Sequence, residues 1–255
     1  MSVQPERRIA EEVSPEEWQV RVDLAALYRL VALWKWDDLI FTHVSASVPG
    51  EDGYFLINPL GLMFDEVTAS SLVKVDLDGN AVGDTGQAIN RAGFVIHSTV
   101  HAAREDARFV MHLHTDDGMA VAAHREGLLP LGQMSLLVIP RLAYHDYEGI
   151  AFDLEESDRL VADLGDRDLM LLRHHGTLSL GRTAAEAWIG MYYLERACSV
   201  QVRALSGGQS GVVAAPLAAQ DKVMMQRKGN HGSVGSLVWD SMLRKISRES
   251  PGFDR

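Results

Sequence analysis

His112-Leu113-His114 places two imidazoles two residues apart in a short apolar segment, residues 109–114. In an extended strand such side chains point to one face, so both rings can converge on one point. A third, His175, follows where Leu171-Leu172-Arg173-His174-His175-Gly176 reads as a strand running into a glycine turn. Three neutral imidazoles with open positions are how proteins hold a catalytic divalent ion such as zinc. The one cysteine, Cys198, excludes an intramolecular disulfide and any multi-cysteine site. The metals to consider are therefore those that imidazole suits: zinc, iron, manganese or nickel. An H-x-H pair also occurs as packed core histidines, and these residues alone leave both readings open. His97 and His101, four apart on an expected helix, read as a packed residue near the site and a surface or interface residue. His124 and His231 read as surface residues.

These side chains need elements to position them. Ser14-Pro15-Glu16-Glu17 has the form of a capping box with proline in the first turn. Behind it Leu24, Leu27, Tyr28, Val31 and Trp34 recur at helical spacing, and the helix should end near Trp36-Asp37-Asp38. Strands are expected over 41–48, Tyr54–Ile57, 72–77, 109–114, 136–139 and 169–173, with turns at Pro49–Gly53 and Asp78-Gly79-Asn80. Helices are expected over 94–103, 115–125, 183–205, 224–226 and 236–246. This interleaving predicts a single domain of the α/β or α+β class over residues 14–255. Residues 1–13 read as a flexible arm, and 206–219, rich in glycine, serine and alanine, as a looser segment.

The chain has 255 residues, 47% hydrophobic and 23% charged, a composition that folds and buries a core. A formal net charge of −11 repels phosphate backbones and anionic lipid, so neither nucleic acid nor a membrane is an expected partner. No stretch approaches the roughly 18 apolar residues of a membrane span. Residues 1–18 lack the apolar run of a signal peptide, which makes the cytoplasm the expected location.

Several segments in order along the chain resemble the class II aldolase/adducin family. They are Thr42-His43-Val44-Ser45, Ile57-Asn58-Pro59-Leu60-Gly61, Asn90 through Arg104, Val110 through Thr115, Tyr144 through Gly149, and His175-Gly176. The resemblance implies a three-layer α/β/α sandwich around a mostly antiparallel central sheet. It also implies a homo-oligomer, commonly a tetramer, with sites near subunit interfaces. In fuculose- and rhamnulose-phosphate aldolases and ribulose-phosphate 4-epimerase three histidines hold zinc. They match His112, His114 and His175, with zinc the first expectation and iron or manganese the others. Residues expected on the substrate side are His43, Asn58, Gly61, Asn90 and Arg91.

The departures from that pattern sharpen the expectation. Sugar-phosphate aldolases carry an acidic general base about nineteen positions before the first metal histidine, and that position is Gly93 here. The preceding pair, which helps bind phosphate in those enzymes, is Arg91-Ala92, and the threonine of the glycine turn is replaced by Leu60. A tyrosine that crosses the subunit interface in fuculose-phosphate aldolase falls near Gln133. The sequence around Gly93 resembles the adducin-like bacterial branch instead. Adducin's basic tail has no counterpart before Arg255, so a cytoskeletal role is not expected to carry over.

A replacement base is sought in Tyr144, His145, Tyr147 and Glu148, a dense polar group in an expected loop, with His43 as a further choice. Arg91 could clamp a carboxylate. The expectation is a metal-dependent lyase, of retro-aldol or decarboxylase type, acting on a small hydroxy- or keto-carbonyl substrate. The alternatives are a non-catalytic adducin-like binding or scaffolding module, and an iron-dependent oxygenase using the same histidines.

Overall fold

The computed structural model describes residues 9–83, 88–149, 154–208, 211–216, 218–219, 221–223 and 231–255; for residues 91, 92, 154, 155 and 231–234 it describes the backbone alone. The expected helix over 224–226 lies outside the described residues. Seven strands form one sheet: β1 (His43–Ser47), β2 (Tyr54–Ile57), β3 (Val73–Asp76), β4 (Phe109–Leu113), β5 (Leu142–His145), β6 (Leu169–Leu172) and β7 (Gly176–Gly181). Their order is β3-β2-β1-β4-β7-β6-β5, antiparallel throughout except for the parallel pair β5–β6.

Helices cover both faces. On one side lie α2 (Pro15–Leu33), α4 (Asp116–Ala123), α5 (Gln133–Val138), α7 (Ala184–Leu205) and α8 (His231–Glu249). On the other lie α3 (Arg91–Ala103) and α6 (Leu154–Leu164), and a short α1 (Ile9–Glu12) precedes α2. Alternation along each strand sorts the side chains between these layers. Val44, Ala46, Met111 and Leu113 join the core beneath α2 and α7, around Tyr28 and Trp188. Val110, Met170, Leu172 and Leu178 join Ile96, Val100, Leu160 and Leu164 on the opposite side. This parity puts His43, Ser45 and His112 on the α3 side of the sheet. None of the described helices is long and apolar enough to cross a membrane.

Two expectations are corrected. Residues 136–139 do not form a strand: Leu136-Leu137-Val138 belongs to α5, and Ile139 opens a short 3-10 turn. The Ser135 hydroxyl starts that helix, accepting from the Gly132 N–H at 3.1 Å and donating to the Gly132 carbonyl at 2.8 Å. A short apolar run carries no period that separates a buried strand from a buried helix. Tyr144 and His145 lie not in a loop but on the edge strand β5, paired with Leu171 and Leu172. The helix α6 was not foreseen.

Candidate metal centre

Register places the first histidine. His112 stands opposite His43 on β1 and Leu178 on β7, near the middle of the sheet, while His114 lies just past the end of β4. His175 sits in the tight connection from β6 to β7, where its N–H donates to the Leu172 carbonyl at 3.0 Å. One ring nitrogen from each of the three residues lies within 4.8 Å of the others. Gly176 makes this packing possible, because a Cβ there would fall 2.3 Å from the Leu113 carbonyl oxygen and 3.2 Å from Cε1 of His112.

Hydrogen bonds orient the rings. His112 Nδ1 donates to the Thr177 carbonyl at 3.1 Å, leaving Nε2 bare, and that Nε2 is 3.0 Å from His114 Nε2. His114 Nδ1 lies 3.1 Å from Asp38 Oδ2, the carboxylate–histidine arrangement that fixes a tautomer around a metal. Burial, then neighbouring His175 and His114, holds His112 well below the usual histidine range. Burial, aided by His114, pushes His175 down to about 4. Two bare nitrogens facing one another at hydrogen-bond distance, that of His112 on an imidazole kept neutral by burial, are a donor set that a divalent cation satisfies. The residues present fit a metal ion.

Around the trio is a cavity of about 340 Å³ lined by Thr42, His43, Asn90, Gly93, Met119 and Tyr147, among others. His43 Nδ1 faces Asn58 Oδ1 at 3.3 Å, which assigns the proton to Nδ1 and leaves Nε2 as acceptor. Burial lowers His43 to about 4, with the Asn58 hydrogen bond opposing. The Tyr28 hydroxyl accepts from the N–H groups of Val44 at 3.0 Å and Asn58 at 3.1 Å. It lies within donor reach of Val44 O and, at 2.9 Å, Asn58 Oδ1. Thr42 Oγ1 is buried with no hydrogen-bond partner among the described residues. Thr42 and His174, both on the cavity wall, have left-handed φ values of 65° and 56°. Leu39, beside Asp38, has 52°. Such residues are uncommon outside glycine and concentrate at functional sites.

Of the residues expected from sequence, His43, Asn90 and Tyr147 line the cavity, and Asn58 reaches it through His43. Gly61, with φ of 100°, turns the chain after β2 and is not on the cavity wall; the side chain of Arg91 lies outside the described residues. Tyr144 turns to another loop, its hydroxyl accepting from the Leu128 N–H at 3.0 Å. His145 is buried with Nδ1 2.8 Å from Asp163 and Nε2 3.5 Å from Glu156, both on α6. Glu148 pairs with Arg159, which holds its carboxyl below the usual range. Those three bind neighbouring structure and not the metal pocket. His101 is half-buried, stacked on Phe55 and bonded to Ser45 and Ser47.

Sequence reasoning missed Asp38, Thr42 and a buried carboxyl, Glu195. Glu195 accepts from the hydroxyls of Thr115 at 2.5 Å and Thr177 at 2.6 Å, tying α7 to β7 and to the N-cap of α4, one residue past His114. Burial raises it to about 7 against those hydrogen bonds. Its signal in sequence is an acid on the apolar stripe of α7, between Met191 and Cys198.

A sequence model of the Class II Aldolase and Adducin N-terminal domain matches residues 22–202. The chain is a member of the class II aldolase/adducin family. A protein of Caulobacter vibrioides, provisionally named as an aldolase class 2 protein, is 63% identical over 98% of this chain and 97% of its own length. Rat alpha-adducin is 44% identical over 76% of this chain but only 27% of its own length. A crystal structure of an aldolase II superfamily protein from Pseudomonas syringae superposes with a TM-score of 0.92. That structure is 49% identical, covering 97% of this chain and 99% of that one. An L-fuculose 1-phosphate aldolase from Glaciozyma antarctica, 25% identical, gives 0.80 over 97% and 96%. The seven-stranded, mostly antiparallel sheet with its helices is thus the class II aldolase fold, and the three-histidine cluster is consistent with that family.

Proposed function

We propose that this family member is a metal-dependent lyase, of retro-aldol or decarboxylase type, acting on a small hydroxy- or keto-carbonyl substrate. The observation that carries this reading is the convergence of His112, His114 and His175 on a cavity shared with a fourth, neutral imidazole, His43. An all-imidazole donor set with room for substrate suits zinc. The bound ion would supply Lewis-acid polarisation of a carbonyl or hydroxyl oxygen, worth several kcal/mol.

The protein's own groups do the rest. His43, with its proton on Nδ1 toward Asn58, offers Nε2 to a substrate hydroxyl or C–H proton. Its low pKa means that a proton once accepted is readily handed on to the product. Tyr28 fixes Asn58, and Asn58 fixes the ring, so the acceptor is aimed before substrate arrives. Thr42 Oγ1 offers a hydrogen bond to a polar substrate atom. Gly93 leaves space in which the His43 ring lies. Leu39, Phe41 and Tyr147 are exposed close to this region, and a homo-oligomer would cover them.

The test is exchange of the carbon-bound hydrogens of dihydroxyacetone and hydroxypyruvate with deuterated solvent, followed by NMR beside elemental analysis. About one metal ion per chain, with exchange lost in His112→Ala and in His43→Ala, is the expected result. Metal-loaded protein that exchanges neither compound and cleaves no hydroxy-carbonyl substrate would leave the binding-module alternative standing.

A further inference from the structure

A second cavity, of about 510 Å³, adjoins the metal pocket and is lined by Ala123, Arg125, Asp146, Tyr147, Arg173 and His174. Tyr147 and His174 line both cavities, so the two meet at this pair. The second is distinct in chemistry: it carries two arginines and one acid, in a chain whose net charge is −11.

Arg173 is held in place without being neutralised. Its Nη1 donates to the carbonyls of His124 at 2.7 Å and Ala122 at 3.4 Å, at the end of α4. Its guanidinium carbon lies 4.5 Å from the centre of the Tyr144 ring, a cation–π contact. Tyr144 is itself anchored to Leu128 N–H and packed over Gly127, where a Cβ would come within 2.5 Å of the ring and φ is 64°. Among the described residues no carboxylate lies at ion-pair distance from Arg173 or Arg125, Asp146 included. Nε and Nη2 of Arg173 remain as donors, the planar fork that matches a carboxylate or phosphate. His174, the threshold residue, is forced into a left-handed conformation by the tight turn that also delivers His175 to the metal site.

We propose that this chamber is an anion subsite, in which Arg173 and Arg125 hold a carboxylate or phosphate borne by the end of the substrate remote from the metal. The inference rests on the metal-dependent reading above and narrows its substrate to an anionic hydroxy- or keto-carbonyl compound. It lies apart from the Asn90–Arg91 segment, and it assigns to Tyr144 the role of a positioning residue acting through Arg173.

The experiment is calorimetric titration of inorganic phosphate and of succinate into zinc-loaded protein, its His112→Ala variant, Arg125→Gln and Arg173→Lys, with metal content measured on each sample. Arg173→Lys keeps the charge but loses the fork; Arg125→Gln touches no α4 carbonyl, so it reports even if Arg173→Lys is destabilised. The expected result is binding to wild type that survives His112→Ala and weakens about tenfold or more in each arginine variant, at unchanged zinc content. The better-bound probe identifies the anion as phosphate or carboxylate. Binding abolished by His112→Ala but indifferent to the arginines would place the anion on the metal and overturn the subsite while leaving the metal reading intact. Arginine-dependent anion binding in a protein that takes up no metal would uphold the anion site and overturn the lyase reading. Failure of both probes to bind zinc-loaded wild type would overturn the subsite.

Discussion

A Cβ added to Gly93 would fall 1.6 Å from Cδ2 and 1.9 Å from Nε2 of His43, so the missing side chain on α3 and the imidazole on β1 occupy one space. The resemblance to sugar-phosphate aldolases places an acidic base at the Gly93 position. Here a ring from a different element fills that volume and turns an acceptor nitrogen into the same pocket. The position of that acid and the His43 ring therefore fall in one volume of this pocket.

This exclusivity predicts the behaviour of Gly93→Ala. The methyl must displace His43, whose ring is held by Asn58 and enclosed by protein, and overpacking of this kind costs about 1–3 kcal/mol. Thermal unfolding should show the loss. Adding His43→Ala should restore much of the stability without restoring solvent exchange on the carbonyl probes. A single Gly93→Ala protein as stable as wild type, with full exchange, would mean that the ring has room to spare.

Asp38 supplies a second prediction. It bonds the far nitrogen of His114, and partners of that kind orient the ligand and raise its basicity. Asp38→Asn should weaken zinc binding about 10–100-fold in competition with a chromophoric chelator, without removing any ligand. His112→Ala and His175→Ala should abolish stoichiometric binding. An Asp38→Asn affinity equal to wild type would assign Asp38 to the loop alone.

Much of this site was legible beforehand because its spacing is short-range. His112 and His114 share a face by strand period, the apolar run Tyr54–Ile57 forms the strand expected beside its turn, and Ser14 caps α2 as its capping chemistry predicts. What sequence could not convey depends on the chain's path. Asp38 reaches His114 only because left-handed residues Lys35, Leu39 and Thr42 fold the connection after α2 back over the pocket, and nothing in those residue types announces a positive φ. Tyr144, His145 and Glu148 read as a polar loop because polar residues clustered there. Their partners, Leu128 and the charged residues of α6, lie elsewhere in sequence. His43 was visible as a residue, but its relation to Gly93 exists only once β1 lies under α3.

Tyr28 carries a third prediction. Its hydroxyl is the acceptor for two buried N–H groups, Val44 and Asn58, and Asn58 in turn holds His43. Tyr28→Phe leaves those donors unsatisfied, at about 1–3 kcal/mol, and frees Asn58 to turn. Zinc content should be unchanged, because no metal ligand is touched, while solvent exchange on the carbonyl probes slows. Equal exchange rates in Tyr28→Phe and wild type would show that Asn58 does not need the hydroxyl to aim His43.

Glu195 makes the fourth, through pH. Burial raises its pKa from an ordinary value near 4.5 to about 7, so between those limits the folded protein holds a proton that the unfolded chain releases. Its contribution to stability is fully present below pH 4.5, falls as pH rises toward 7 and is constant above; it amounts to at most on the order of 3 kcal/mol. Histidines lowered by burial, His43 and His175 among them, act oppositely: they destabilise as pH falls from about 6.5 toward 4. Comparing wild type with Glu195→Gln cancels the histidines, since both proteins carry them. The variant's melting temperature, measured on metal-free protein, should gain on wild type between pH 4.5 and 7, by on the order of 5–10 °C, with no further change above pH 7. A difference independent of pH would mean that the two threonine hydroxyls stabilise the carboxylate enough to keep Glu195 ionised, and that the tie from α7 to β7 and the N-cap of α4 is a charged one.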